Sequence, residues 1–146
     1  MGLIFSQQCE YAIQAVLYLA LKEPGEWASV KEIRDRLRTP AHFLAKIFQD
    51  LTKKNILLSL KGPTSGFALA RPAEQIKLLE IVKAIDGNDL FEECAMGFPD
   101  CSPESPCAIH EHWRQLRSGL EQVLANKGVA EVAHEMKRLE YRKWFH

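Results

Sequence analysis

Between residues 94 and 113 the chain reads CAMGFPDCSPESPCAIHEHW. Three of its four cysteines fall there, spaced Cys94-x6-Cys101-x5-Cys107, and His110 follows Cys107 after two intervening residues. Thiolate and imidazole are ligands for soft metals. A disulfide knot, a zinc knuckle, a redox thiol and an iron–sulfur cluster are the chemistries open to such a stretch. Structural zinc sites usually draw on close C-x2–4-C pairs that bend the backbone around one ion, and no such pair is present. Longer gaps suit a larger object, because an iron–sulfur cluster spreads its irons and takes thiolates from a looser loop. Gly97, Pro99, Ser102 and Pro103 let the backbone curl around it. Cys107 and His110 share a face at a helix start, and the helix N-terminus favours a thiolate at Cys107. Free thiols in a loop are the competing reading. A lone histidine on a helix flank, as His110 is, is more often a surface residue than a ligand, and His112 points elsewhere on the helix. Cys9 is expected as a buried small hydrophobe. Its neighbour Glu10 is ordinarily a solvated charge, of interest only if a partner's first helix meets the loop.

The 146 residues suit one domain, or a small domain with an appendage. The opening MGLIFSQQCEYAIQ turns polar too soon for a signal peptide, and no run approaches a membrane span. A cytoplasmic chain is therefore expected, where structural disulfides are rare. Net charge is zero, but residues 31–71 carry nine basic and three acidic side chains, whereas residues 72–112 carry two and nine. A basic segment inside a neutral chain is the footprint of nucleic-acid contact. A merely solvated helix surface would look the same on charge alone.

The elements that would position these groups are mainly helical. Residues 6–21 have a long apolar face and stop before Pro24-Gly25, as a buried first helix would. SVKE at 29–32 is a capping box opening a short second helix that ends near Leu37. Thr39 is expected as the next N-cap, with Pro40 the first helical residue. Leu44, Ile47, Phe48 and Leu51 then make one core-facing stripe, opposite His42, Ala45, Lys46, Gln49 and Lys53. Two helices joined by a short turn, the second exposing a polar face, form a helix-turn-helix. ILLSL and FALA, separated by KGPTSG, read as a hairpin, which completes a winged helix. Residues 76–87 form another amphipathic helix closed by Gly87. The loop from Asn88 to Ser105 is longer than most, and a long helix is expected from about Pro106. Its Ile109, Trp113, Leu116, Leu120 and Val123 keep the period of a coiled-coil seam, which points to a homodimer. Residues 129–145 read as a final amphipathic helix. The organisation expected is a DNA-binding head at 1–87, a cysteine loop at 88–107, and dimerisation and C-terminal helices at 108–146.

From YAIQAVLYLA through FLAKIFQDLTKKNILLSLKGPTSGFALAR to CAIHEHWRQL, nearly the whole chain resembles the Rrf-two winged-helix regulators of bacteria, and among them the iron–sulfur (IscR-like) type. The wing phrase KGPTSGF is similar to that family's R-G-P-G-G-G-Y, with Thr64 and Ser65 replacing two glycines. The resemblance implies a [2Fe–2S] cluster on Cys94, Cys101, Cys107 and His110. The nitric-oxide-sensing (NsrR-like) relatives imply a [4Fe–4S] cluster instead, with a first-helix carboxylate, here Glu10, as fourth ligand. The first gap is six residues where the IscR-like pattern usually has five, and Ala45 stands where that pattern has a glutamate that tunes base choice.

The expected function is a homodimeric, cluster-sensing transcription regulator that binds an imperfect palindrome in double-stranded DNA. Its rival is a cluster-free regulator that uses thiol redox chemistry or a partner protein. His42, Lys46 and Gln49 would approach base edges or nearby phosphates, while Lys53, Lys54, Lys61 and Arg71, with Thr64 at the wing tip, would hold the backbone. No acid–base or nucleophile constellation occurs beyond the loop, so an enzyme is not expected.

Overall fold

In the computed structural model the described residues are 4–62, 65–139 and 145. The first helix, α1 (Gln7–Ala20), is capped by Ser6, whose Oγ accepts the Cys9 amide at 3.0 Å. Ser6 in turn donates its own amide to Asp86 at 3.0 Å. Ala12, Ala15 and Val16 make α1 the axis of the core.

Ser29 caps α2 (Val30–Leu37) by accepting the Glu32 amide at 3.0 Å. The expected reciprocal bond from the Glu32 side chain is replaced by other partners, because that carboxylate takes the Tyr18 hydroxyl and Lys22, the latter at 2.8 Å. The end of α2 differs from expectation in an informative way. Arg38 turns left-handed (φ 51°) and the Thr39 amide reaches back to the Arg34 carbonyl at 3.3 Å. Thr39 therefore belongs to the exit of α2 and not to the start of the next helix. Its side chain is buried and its Oγ1 has no hydrogen-bond partner among the described residues. Pro40 is the N-cap of α3 (Ala41–Lys53) and not its first helical residue.

Leu44, Ile47, Phe48 and Leu51 are all buried, as their spacing requires. A two-stranded antiparallel hairpin follows, β1 (Leu57–Leu60) with β2 (Gly66–Leu69), in the register Leu57↔Leu69 to Leu60↔Gly66. Ala28 adds a bridge to Phe67, with N···O distances of 3.0 and 2.8 Å. Gly66 is required at this crossing, since a Cβ there would collide with the Ala28 carbonyl oxygen. Phe67 stacks on Phe48 at 3.9 Å, fixing the hairpin to α3.

Next come α4 (Leu78–Asp86) and the short α5 (Asp89–Glu92), which forms within the expected loop because Phe91 finds a buried place. The long α6 (His110–Asn126) begins later than Pro106, after a turn closed by the His110 amide on the Cys107 carbonyl at 3.1 Å. Finally α7 (Val129–Arg138) folds back: the Val129 amide donates to the Ile76 carbonyl at 2.8 Å, and Val129 joins the same core as Ile33, Leu44 and Ile81. A second, smaller core of Cys9, Val82, Phe91 and Leu124, with Leu120 against it, ties α6 and α5 to α1 and α4. No helix among the described residues is long and apolar enough to cross a membrane.

Candidate metal centre and nucleic-acid interface

The cysteine loop owes its shape to a few local bonds. Gly97, at φ 78°, lets its amide return to the Cys94 carbonyl at 3.0 Å. The Cys101 amide returns to Phe98, and Ser102 and Ser105 bond each other's backbone. The start of the loop is fixed from α6, where Trp113 Nε1 and Arg117 Nη1 both donate to the Glu93 carbonyl, at 3.1 and 2.9 Å. A backbone acceptor carries no signature in sequence, so neither this anchor nor the part Arg117 plays in it was foreseeable.

These bonds bring the Sγ atoms of Cys94, Cys101 and Cys107 within 4.8 Å of one another. Cys94 and Cys107 Sγ are 3.7 Å apart, and His110 Nδ1 lies 3.3 Å from Cys101 Sγ. The Cys107 amide points at Cys101 Sγ at 3.4 Å. Amides of Phe98 and Met96 do the same for Cys94, and with the neighbouring thiols they lower its pKa to about 7 despite some desolvation. Hydrogen bonds that stabilise a thiolate are also those that stabilise a bound soft metal. Three convergent sulfurs with an adjacent imidazole at a helix start form a donor set that fits iron–sulfur or another soft-metal centre. The group within 4.8 Å is the three sulfurs alone, without His110 or Glu10, the latter on α1. Cys9 is fully buried, and burial, then Asp86 and Glu10, push its thiol up to about 12, which makes it inert.

The candidate DNA face lies on α3. His42, Ala45, Lys46, Gln49 and Lys53 are all exposed, on the side opposite the buried stripe. The His42 ring leans on Phe43 with centroids 4.5 Å apart, and Lys46 pairs with Asp50 at 3.1 Å. Lys53, Lys54 and Lys61 are exposed and pair with no described residue. Arg71 differs: it is half-buried, and three of its five N–H groups donate to the carbonyls of Asn55 and Gln75 and to Glu80. Thr64 lies outside the described residues. Between α3 and the hairpin runs an apolar groove of about 510 Å³, lined in part by Val30, Ala45, Phe48 and Phe67.

The expected seam residues divide into two groups. Ile109, Leu116 and Val123 are exposed, whereas Trp113 and Leu120 are half-buried against their own chain.

A helix locked into the core by one stripe cannot use its opposite face for packing, and here that face runs beside a hairpin and uncommitted lysines. This is the architecture of a winged-helix DNA-binding regulator. Residues 5–135 match the model of the Rrf2 family, described as an iron-dependent transcriptional regulator, and the chain belongs to that family. It is 33% identical over 132 residues to an HTH-type transcriptional regulator, so named by inference, of Aquifex aeolicus, covering 89% of this chain and 91% of that one. It is 28% identical to the HTH-type transcriptional regulator IscR of Cronobacter sakazakii, covering 89% and 80%. Among solved structures, CymR of Bacillus subtilis superposes with a TM-score of 0.77 at 21% identity, over 92% and 98% of the two chains, which shows the shared fold. The IscR structure labelled T. potens superposes with a TM-score of 0.69 at 25% identity, over 92% and 89%. The chain is a transcription regulator and not an enzyme.

Proposed function

We propose that this chain is a cytoplasmic, homodimeric regulator whose operator affinity follows the state of an iron–sulfur cluster held by Cys94, Cys101 and Cys107. His110 supplies the fourth ligand, and [2Fe–2S] is the favoured form over [4Fe–4S]. The carrying observation is the convergence of three sulfurs within 4.8 Å from a loop with no close cysteine pair. IscR relatives along nine-tenths of the chain support it. The cluster, when bound, supplies electron and ligand exchange. The protein's part is to present the thiolates, direct amides at their sulfurs, and tie the loop to α6 through Glu93. His42, Lys46 and Gln49 read an imperfect palindrome, while Lys53, Lys54, Lys61 and Thr64 hold its backbone.

Anaerobic reconstitution with ferrous iron and sulfide tests this reading. The protein is expected to colour, Cys101→Ala to stay colourless, and iron chelation to change affinity for duplexes enriched from a random library. A colourless, zinc-loaded product would sink it.

One observation favours a second reading. Cys94 and Cys107 Sγ, 3.7 Å apart, are placed to join as a disulfide in a cluster-free redox regulator. The DNA affinity of that protein would respond to peroxide and ignore iron.

A further inference from the structure

The turn between α2 and α3 carries a residue that the fold alone does not explain. Arg38 sits at the C-cap of α2 with φ 51° and ψ 41°, donating its amide to the Arg34 carbonyl. Glycine normally supplies this left-handed cap because a Cβ is disfavoured there. Strain of this kind is held where a side chain has work to do. The other basic residues of α2 have intramolecular partners: Lys31 and Arg34 lean on Asp35, and Arg36 acts on Tyr18. Arg38 is exposed, and its side chain makes no hydrogen bond or ion pair with any described residue. It stands immediately before α3, whose N-cap, Pro40, offers no side-chain hydrogen bond to the first turn.

We propose that Arg38 is a DNA-contacting residue that grips a backbone phosphate at the entry of the reading helix. This rests on α3 being the helix that faces DNA. The guanidinium fits a phosphate in fork geometry, and no carboxylate of the described residues forms an ion pair with it. The contact positions the head and carries no sequence information.

Binding of the full-length protein to a random-sequence duplex, followed by anisotropy across a salt series, tests the assignment. Arg38→Gly is expected to unfold at no lower denaturant concentration than wild type, because glycine accepts this backbone. Its log K against log salt should nevertheless be shallower by about one unit per engaged subunit. Arg38→Lys should recover most of the slope, and Lys137→Ala, on α7, should leave it unchanged. An Arg38→Gly variant with the wild-type slope, or with lowered stability, overturns the assignment. Wild type that ignores the duplex at every salt concentration overturns the DNA-facing role of α3 itself.

Discussion

Arg71 and Lys53 bring the same charge to the basic segment, yet the structure gives them different work. Arg71 places Nε on the Asn55 carbonyl at 3.1 Å, Nη1 on the Gln75 carbonyl at 3.1 Å and Nη2 on Glu80 at 2.6 Å. It thereby joins the end of α3, the strand exit and α4. Truncating it frees two carbonyls and leaves Glu80 with the Lys77 amide, so Arg71→Ala should cost about 1–2 kcal/mol of folding stability. Denaturant unfolding would show this as a lower midpoint at an unchanged slope. Lys53→Ala should leave that midpoint within about 0.5 kcal/mol and instead flatten the salt dependence of duplex binding. A shared midpoint shift would remove the distinction. Residue type and spacing were enough to single out the three thiols that converge, because ligand chemistry is written in side chains. The commitment of Arg71 was hidden, since two of its three partners are backbone oxygens brought near only by the fold. The left-handed Arg38 and the inward Thr39 were hidden because no glycine marks the end of α2.

At the scale of elements, α1 and α2 are braced by Tyr18, Lys22 and Glu32, with Lys22 also over the Tyr18 ring at 5.4 Å. Partial burial alone would raise the Glu32 pKa, but the bonds from Lys22 and Tyr18 outweigh it and hold the carboxyl below its ordinary value. A carboxyl lowered in the folded state contributes stability that is present above its unfolded pKa and lost as pH falls through the folded one. The stability gap between wild type and Glu32→Gln should therefore be full at neutral pH and close in the acid range, as read by urea unfolding at a series of pH values. A gap constant with pH would mean the brace is not electrostatic. Tyr18, raised to about 12 by burial and then by Glu32, has the opposite sense: its contribution fades only as pH rises through that value. The wing offers a sterically driven case. Gly66→Ala should cost about 1–3 kcal/mol, because the new methyl meets the Ala28 carbonyl and must break either the bridge or the hairpin register. Helices, hairpin and the α3 stripe were legible because hydrophobic period is local. The Ala28 bridge and the return of α7 were not, because both pair residues distant in sequence.

For the whole molecule, the cysteine loop and the reading head are linked through the second core. Glu93 is pinned to α6, Phe91 is buried beside Cys9 and Val82, and Leu124 and Leu120 close the cluster from α6. A change in the loop therefore bears on α1 and α4 through packed side chains, with no flexible linker between. The outer face of α6 is different. Leu116 is 66% and Val123 55% exposed, and Ile109 continues the same line. Apolar side chains in register along a helix are the surface a second copy would cover. Leu116→Glu should thus yield a monomer by sedimentation while its thermal unfolding, measured at low protein concentration, stays near wild type. Leu120→Ala should do the reverse, costing about 1–2 kcal/mol through the second core while dimers persist. With its two heads uncoupled, the Leu116→Glu protein should lose roughly 10²-fold or more in affinity for a palindromic duplex, yet keep near-normal affinity for an isolated half-site. If Leu116→Glu remains dimeric, α6 does not present the seam, and the two heads must be spaced by some other surface.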